Sequence, residues 1–168
     1  MMDKQKAVNQ PKICFINLDS KTLEPSVAFF EKRLDFFLKP TVRGFNSLET
    51  ARGQGPWDLM ILNASHLKDE PFLQWLKGLI NKIEGKPEAL TPALILSRTN
   101  FDSLSEIWGF AYEKNCYFDI MHPEHMDSLP IRVGNLLKFH DHIRELHRYE
   151  TELEAIKQRL SKLESTRQ

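Results

Sequence analysis

Apolar residues in this chain fall into short unbroken runs, separated by stretches in which they recur every three or four positions. Leu59-Met60-Ile61-Leu62, closed by Asn63, is the clearest run. It has strand length and is apolar on both faces, as a strand inside a parallel sheet covered by helices must be. Lys12-Ile13-Cys14-Phe15-Ile16, ending at Asn17, and Ala93-Leu94-Ile95-Leu96, ending at Ser97, read the same way. Cys116 to Met121, followed by His122-Pro123, is a further strand. Phe36-Phe37-Leu38 begins another, which Pro40 confines to an edge or stops early.

Helical spacing fills the intervals. Leu23, Val27, Phe30 and Leu34 make one amphipathic helix, with Thr22 as its cap and Pro25 in its first turn. Asn46 to Ala51 is a short helix, and Gly53-Gln54-Gly55-Pro56 is a turn. Glu70-Pro71 opens a helix whose apolar face is Phe72, Trp75, Leu76, Leu79, Ile80 and Ile83, and Gly85-Lys86-Pro87 ends it. Asp102 or Ser103 caps a helix with Leu104, Ile107, Trp108 and Ala111 inward. A long helix begins between Asp127 and Ile131 and continues toward the terminus. Strand and helix alternate throughout, which predicts right-handed crossovers and a parallel sheet with helices on both faces.

Composition narrows the function classes. A length of 168 residues and a hydrophobic fraction of 41% support one domain with an appendage. Lys+Arg and Asp+Glu are equal at 23 each, so there is no cationic excess to meet phosphates and nucleic acid is not an expected partner. No run of about 18 apolar residues exists to span a membrane, so no membrane partner is expected. Residues 1–11 are polar, lack an apolar signal core and read as a disordered tail. Cys14 and Cys116 sit in apolar strand contexts and are expected as buried free thiols of a cytoplasmic protein.

Five alternating units over 12–137 resemble the receiver domain of bacterial response regulators. Asp58-Leu59-Met60-Ile61-Leu62-Asn63 is similar to that family's third strand, Pro92 to Ser97 to its fourth, and Ala111 to Pro123 to the segment entering its fifth. The resemblance implies a flavodoxin-like α/β fold with sheet order 2-1-3-4-5. It also implies where chemistry would stand. The phosphorylated Asp is matched by Asn63, a neutral amide that is no nucleophile. The acidic pair that holds Mg²⁺ is matched by Asn17 and Leu18, and Leu18 offers no oxygen ligand; Asp19 would substitute only with a shift of one residue. Ser97 keeps the hydroxyl position. His122 stands for the family's Lys, with the following Pro123 kept, and Asp119 stands for the aromatic that moves on activation. The expected member is a pseudo-receiver: fold retained, phosphorylation lost, no catalytic residue, and Asn17, Leu18, Asp19, Asn63, Ser97 and His122 as a degenerate pocket.

Other constellations are thinner. His122 and His125 flank Pro123-Glu124 without an evident third ligand, and a loop with two surface or half-buried histidines is the plainer reading. His140 and His147 share a helix face while His142 points elsewhere. None of these pairs has the i, i+4 spacing of a shared metal, so solvated or packing roles fit better. Ser97, His122 and Asp19 would make a hydrolytic triad only with a nucleophile elbow that the sequence lacks. Gly53-Gln54-Gly55-Pro56 precedes a strand, the wrong side for a phosphate loop. No metal or cofactor is expected. Trp57, Trp75 and Trp108 read as packing residues, with Trp108 the candidate for an exposed partner contact.

The terminal helix carries Leu136, Phe139, Ile143, Leu146, Tyr149, Leu153, Ile156, Leu160 and Leu163, at steps of 3, 4, 3, 3, 4, 3, 4 and 3. Alternating threes and fours make a coiled-coil heptad, and the repeated three at Leu146 to Tyr149 is a stammer. It marks a change of partner: the stripe packs on its own domain before it and on something else after it. In the later part Leu153 and Leu160 take position a, and Tyr149, Ile156 and Leu163 take position d. Glu152 with Lys157, and Arg159 with Glu164, then pair opposite charges across a parallel homodimer. A solvated helix folded back on its domain is the competing reading.

These readings converge on a non-enzymatic, cytoplasmic signalling module of a two-component type. Residues 12–137 form the receiver-like domain and 138–168 extend the last helix as a coiled coil, and the module binds an unidentified signalling protein. The alternative is the N-terminal regulatory segment of a larger signalling enzyme, such as a cyclic-dinucleotide cyclase, histidine kinase or phosphatase; a reading frame running past Gln168 would favour it. A third is a working phosphoacceptor at Asp19 or another carboxylate.

Overall fold

Lys12–Asn17 (β1), Thr41–Phe45 (β2), Leu59–Asn63 (β3), Ala93–Leu96 (β4) and Phe118–Met121 (β5) form one sheet in the order β2-β1-β3-β4-β5. Every pairing is parallel. Between them run Leu23–Asp35 (α1), Leu48–Arg52 (α2), Asp69–Ile83 (α3) and Ser105–Glu113 (α4), with Leu129–Ser165 (α5) after β5. The computed structural model describes residues 10–18, 23–35, 39–86, 91–100 and 104–165. The architecture is the flavodoxin-like α/β fold that the alternation and the resemblance implied.

Side chains along each strand alternate between two apolar layers. Ile13 and Phe15 of β1 join Ile61, Leu94, Phe30 and Leu34 of α1, and Leu129 and Val133 of α5. Cys14 and Ile16 face the other way, into Phe72, Leu76 and Ile80 of α3 and Ile107 and Ala111 of α4. Residues 59–62 and 93–96 are buried on both faces, which is why those runs carry no polar alternation.

Several boundaries differ from the sequence expectation. Among the described residues the second strand is Thr41–Phe45, after Pro40; the expected Phe36, Phe37 and Leu38 lie outside the described residues. The ladder there begins with Thr41 N–H on Pro11 O at 2.9 Å, so the proline precedes the edge strand and removes no donor from it. Pro11 thus belongs to the fold, while residues 1–9 of the expected tail lie outside the described residues, as do Thr22, Asp102 and Ser103. The fifth strand starts at Phe118: Cys116 N–H bonds Ala111 O at 3.0 Å, which ties Cys116 to the end of α4. Ser47 caps α2, its Oγ accepting Thr50 N–H at 3.2 Å. Just past α3, Gly85 stands at φ +68°, the left-handed conformation that lets a chain leave a helix without a Cβ penalty. A 3-10 turn over Pro123–Ser128 leads from β5 into α5.

Leu129, Val133, His140 and Ile143 of α5 are buried, and every described residue from Arg144 onward is exposed. The helix therefore leaves the domain between Ile143 and Leu146, one step before the stammer placed it. Among the described residues no helix is long and apolar enough to cross a membrane.

Candidate functional site

Strand register brings the expected pocket residues to the carboxyl edge of the sheet. Asn17 ends β1 directly opposite Asn63, which ends β3. Asn63 in turn stands opposite Leu96, and Leu96 opposite Met121, so Ser97 and His122 each follow one residue past the edge. Asp19 lies outside the described residues.

A hydrogen bond joins the two amides. Asn63 Nδ2 donates to Asn17 Oδ1 at 3.0 Å, and Asn17 is fully buried. Asn63 Oδ1 accepts two bonds, from Ser65 Oγ at 2.6 Å and Ser65 N at 3.2 Å. Leu18 packs with Leu48 and Trp75 on the α2–α3 side of the sheet and offers the edge no oxygen. Ser97 is buried, and its Oγ accepts Thr99 N–H at 3.1 Å. Thr99 Oγ1 then accepts Asp69 N–H at 3.1 Å, fixing the start of α3. His122 is half-buried and caps the 3-10 turn, its Nδ1 accepting Glu124 N–H at 3.2 Å. Among the described residues this edge holds a neutral amide pair and a back-bonded hydroxyl, and no paired carboxylates for a divalent cation. Among the described residues no group of three His, Cys, Asp or Glu side chains could hold a metal. Beside the amides a cleft of about 310 Å³ opens between Phe15, Phe29, Pro123 and Met126.

The α4–β5–α5 face presents aromatic surface. Trp108 stacks on Phe118 with ring centres 5.0 Å apart, and Tyr117 meets Phe139 edge-on at 5.0 Å. With Tyr112 and Leu136 these rings line a groove of about 330 Å³, and Tyr112 is 85% exposed. Next to it Asp119 of β5 is held by Arg132 of α5 at 2.6 Å, and Arg132 Nε also donates to Ser128 Oγ at 3.1 Å.

The opposite, amino edge of the sheet holds a cluster the sequence pattern did not single out. Asp58 accepts Lys12 N–H at 2.8 Å, and its other oxygen lies 3.6 Å from Arg144 and 4.0 Å from His140 Nδ1. Burial pushes the His140 imidazole below its usual pKa, against the pull of Asp58. Only the polar residue just ahead of an apolar run hinted at this cluster; its partners lie far along the chain. Cys14 and Cys116 are buried free thiols, and burial pushes Cys14 up to about 12.

Tyr149, Leu153, Ile156, Leu160 and Leu163 are all more than half exposed along α5. No family model matches the chain, and comparison with curated proteins and with solved structures returns no significant match.

Proposed function

We propose that the chain is a non-phosphorylatable pseudo-receiver: a cytoplasmic signalling module that acts by binding protein and by pairing with a second copy through the end of α5. One observation carries the reading, the hydrogen bond from Asn63 to Asn17 at the carboxyl edge. In a flavodoxin-like sheet that edge is where chemistry is placed, and here one neutral amide donates to another. The Asp119–Arg132 ion pair supports it, since it fixes the β5 position at which receivers carry a mobile aromatic. The aromatic groove between α4, β5 and α5 supplies the contact surface, with Trp108 and Tyr112 available to a partner.

The test is an amide NMR titration with Mg²⁺ and then beryllofluoride, which mimics an aspartyl phosphate. The expected result is no shift at Asn17, Leu18, Asn63, Ser97 or His122. Saturable shifts clustered at those residues would mean the edge still reads a metal or an anion, and the proposal would fail. A second reading, the regulatory segment of a larger signalling enzyme, draws on the exposed run of α5 from Arg144 to Ser165, which suits a helix that passes a signal to another domain.

A further inference from the structure

The outward face of α5 carries one heptad register that begins inside the folded domain. Phe139, His142, Leu146, Tyr149, Leu153, Ile156, Leu160 and Leu163 are separated by steps of 3, 4, 3, 4, 3, 4 and 3. All of these positions are exposed, Phe139 at 40%. Leu129, Val133, His140 and Ile143 form a separate, inward stripe. The apparent stammer arises from reading Ile143, which belongs to the inward stripe, into the outward one. Over residues 139–143 the helix serves both faces at once.

We propose that two copies pair along this register in parallel, from Phe139 to Leu163, with His142 set against its own counterpart as the single polar core layer. The inference rests on the coiled-coil reading above and extends its interface back into the domain. At about 1.5 Å per residue the seam spans about 36 Å. A second copy is the occupant because a heptad seam is self-complementary about a two-fold axis. The flanking charges agree in part: Glu152 meets Lys157 of the partner, Arg159 meets Glu164 of the partner, and Glu145 meets Glu150 of the partner with like charge. An antiparallel pair would also match charges, Glu150 with Lys157 and Glu152 with Arg159, but it sets Phe139 and His142 against no described residue of the partner. The parallel pair instead sets Phe139 on Phe139, and brings the Tyr117 ring that already rests on it to the interface. One polar layer in an apolar seam is the device that fixes register and orientation.

The experiment uses the full chain with His142→Cys or, separately, Leu153→Cys, oxidised under conditions where light scattering reports a dimer. Both variants are expected to give a covalent dimer in similar yield; the buried Cys14 and Cys116 supply the background in the unsubstituted chain. Cross-linking at Leu153→Cys but not at His142→Cys would overturn the extended parallel seam and leave the shorter coiled coil standing. An unsubstituted chain that is monomeric at every concentration would remove both. His142→Leu is a second check: the dimer dissociation constant is expected to fall about tenfold or more as the polar layer is lost, and an unchanged constant would place His142 outside the interface.

Discussion

Asn63 anchors three hydrogen bonds with two side-chain atoms, one to Asn17 and two from Ser65. Asn63→Ala deletes all of them and takes a donor from the fully buried Asn17, so it is expected to cost about 1–3 kcal/mol. Asn63→Asp should cost less, because Oδ1 still accepts from Ser65. Urea midpoints rank the two, and an alanine variant as stable as the parent would mean the amide pair contributes nothing. His140 gives stability a pH dependence. Its folded pKa lies below the ordinary value because burial disfavours the charge, with Asp58 pulling it up and Arg144 pushing it down. The unfolded chain therefore takes up the proton first: stability is full above about 6.5 and falls as pH drops through the folded value. Asp58 and Asp141 carry the facing negative charge and Arg144 the facing positive charge. His140→Gln should flatten the slope of the urea midpoint between neutral and mildly acid pH, and an unchanged slope would assign it to other groups.

At the scale of the element, α5 divides into an inward stripe that is buried and a later run that is exposed. Ile143 is 9% exposed and lies buried in the domain, whereas Leu153 is 53% exposed. Ile143→Ala should lower domain stability by about 2 kcal/mol, the low end for such truncations. Leu153→Ala should leave the dilute urea midpoint unchanged and weaken only self-association. Equal midpoint losses in the two variants would show that the end of the helix packs on its own domain. The same division explains how far the sequence could be read. The runs at 59–62 and 93–96 are apolar because both faces are covered, so the central strands and the carboxyl-edge positions of Asn17, Asn63 and Ser97 were legible. Thr41–Phe45 was not, because an edge strand buries only Val42 and Phe45 in a polar stretch, while Phe36-Phe37-Leu38 carried the stronger apolar signal. The bond between Asn17 and Asn63, and the Asp58–His140–Arg144 cluster, depend on strand register and helix docking across long sequence separations. Two stripes overlapping on one helix look, in one dimension, like a single stripe with a fault.

For the whole molecule, the balance of 23 basic and 23 acidic residues leaves no net repulsion between copies at neutral pH. A molecule of zero net charge with a long apolar stripe exposed on its last helix should associate, and its association should be separable from its folding. Removing residues 146–168 tests this. Every described residue in that span is exposed, so at concentrations where the full chain is monomeric the shortened chain should unfold within about 0.5 kcal/mol of it. At higher concentration the two should diverge. A ligand that binds only the folded state stabilises it by mass action, and a second copy is such a ligand. The unfolding midpoint of the full chain should therefore rise with protein concentration while that of the shortened chain stays constant. A shortened chain that is weaker at every concentration would instead mean that the helix end folds back on its own domain. In that case the outward register from Phe139 to Leu163 would be an intramolecular face and not the seam between copies.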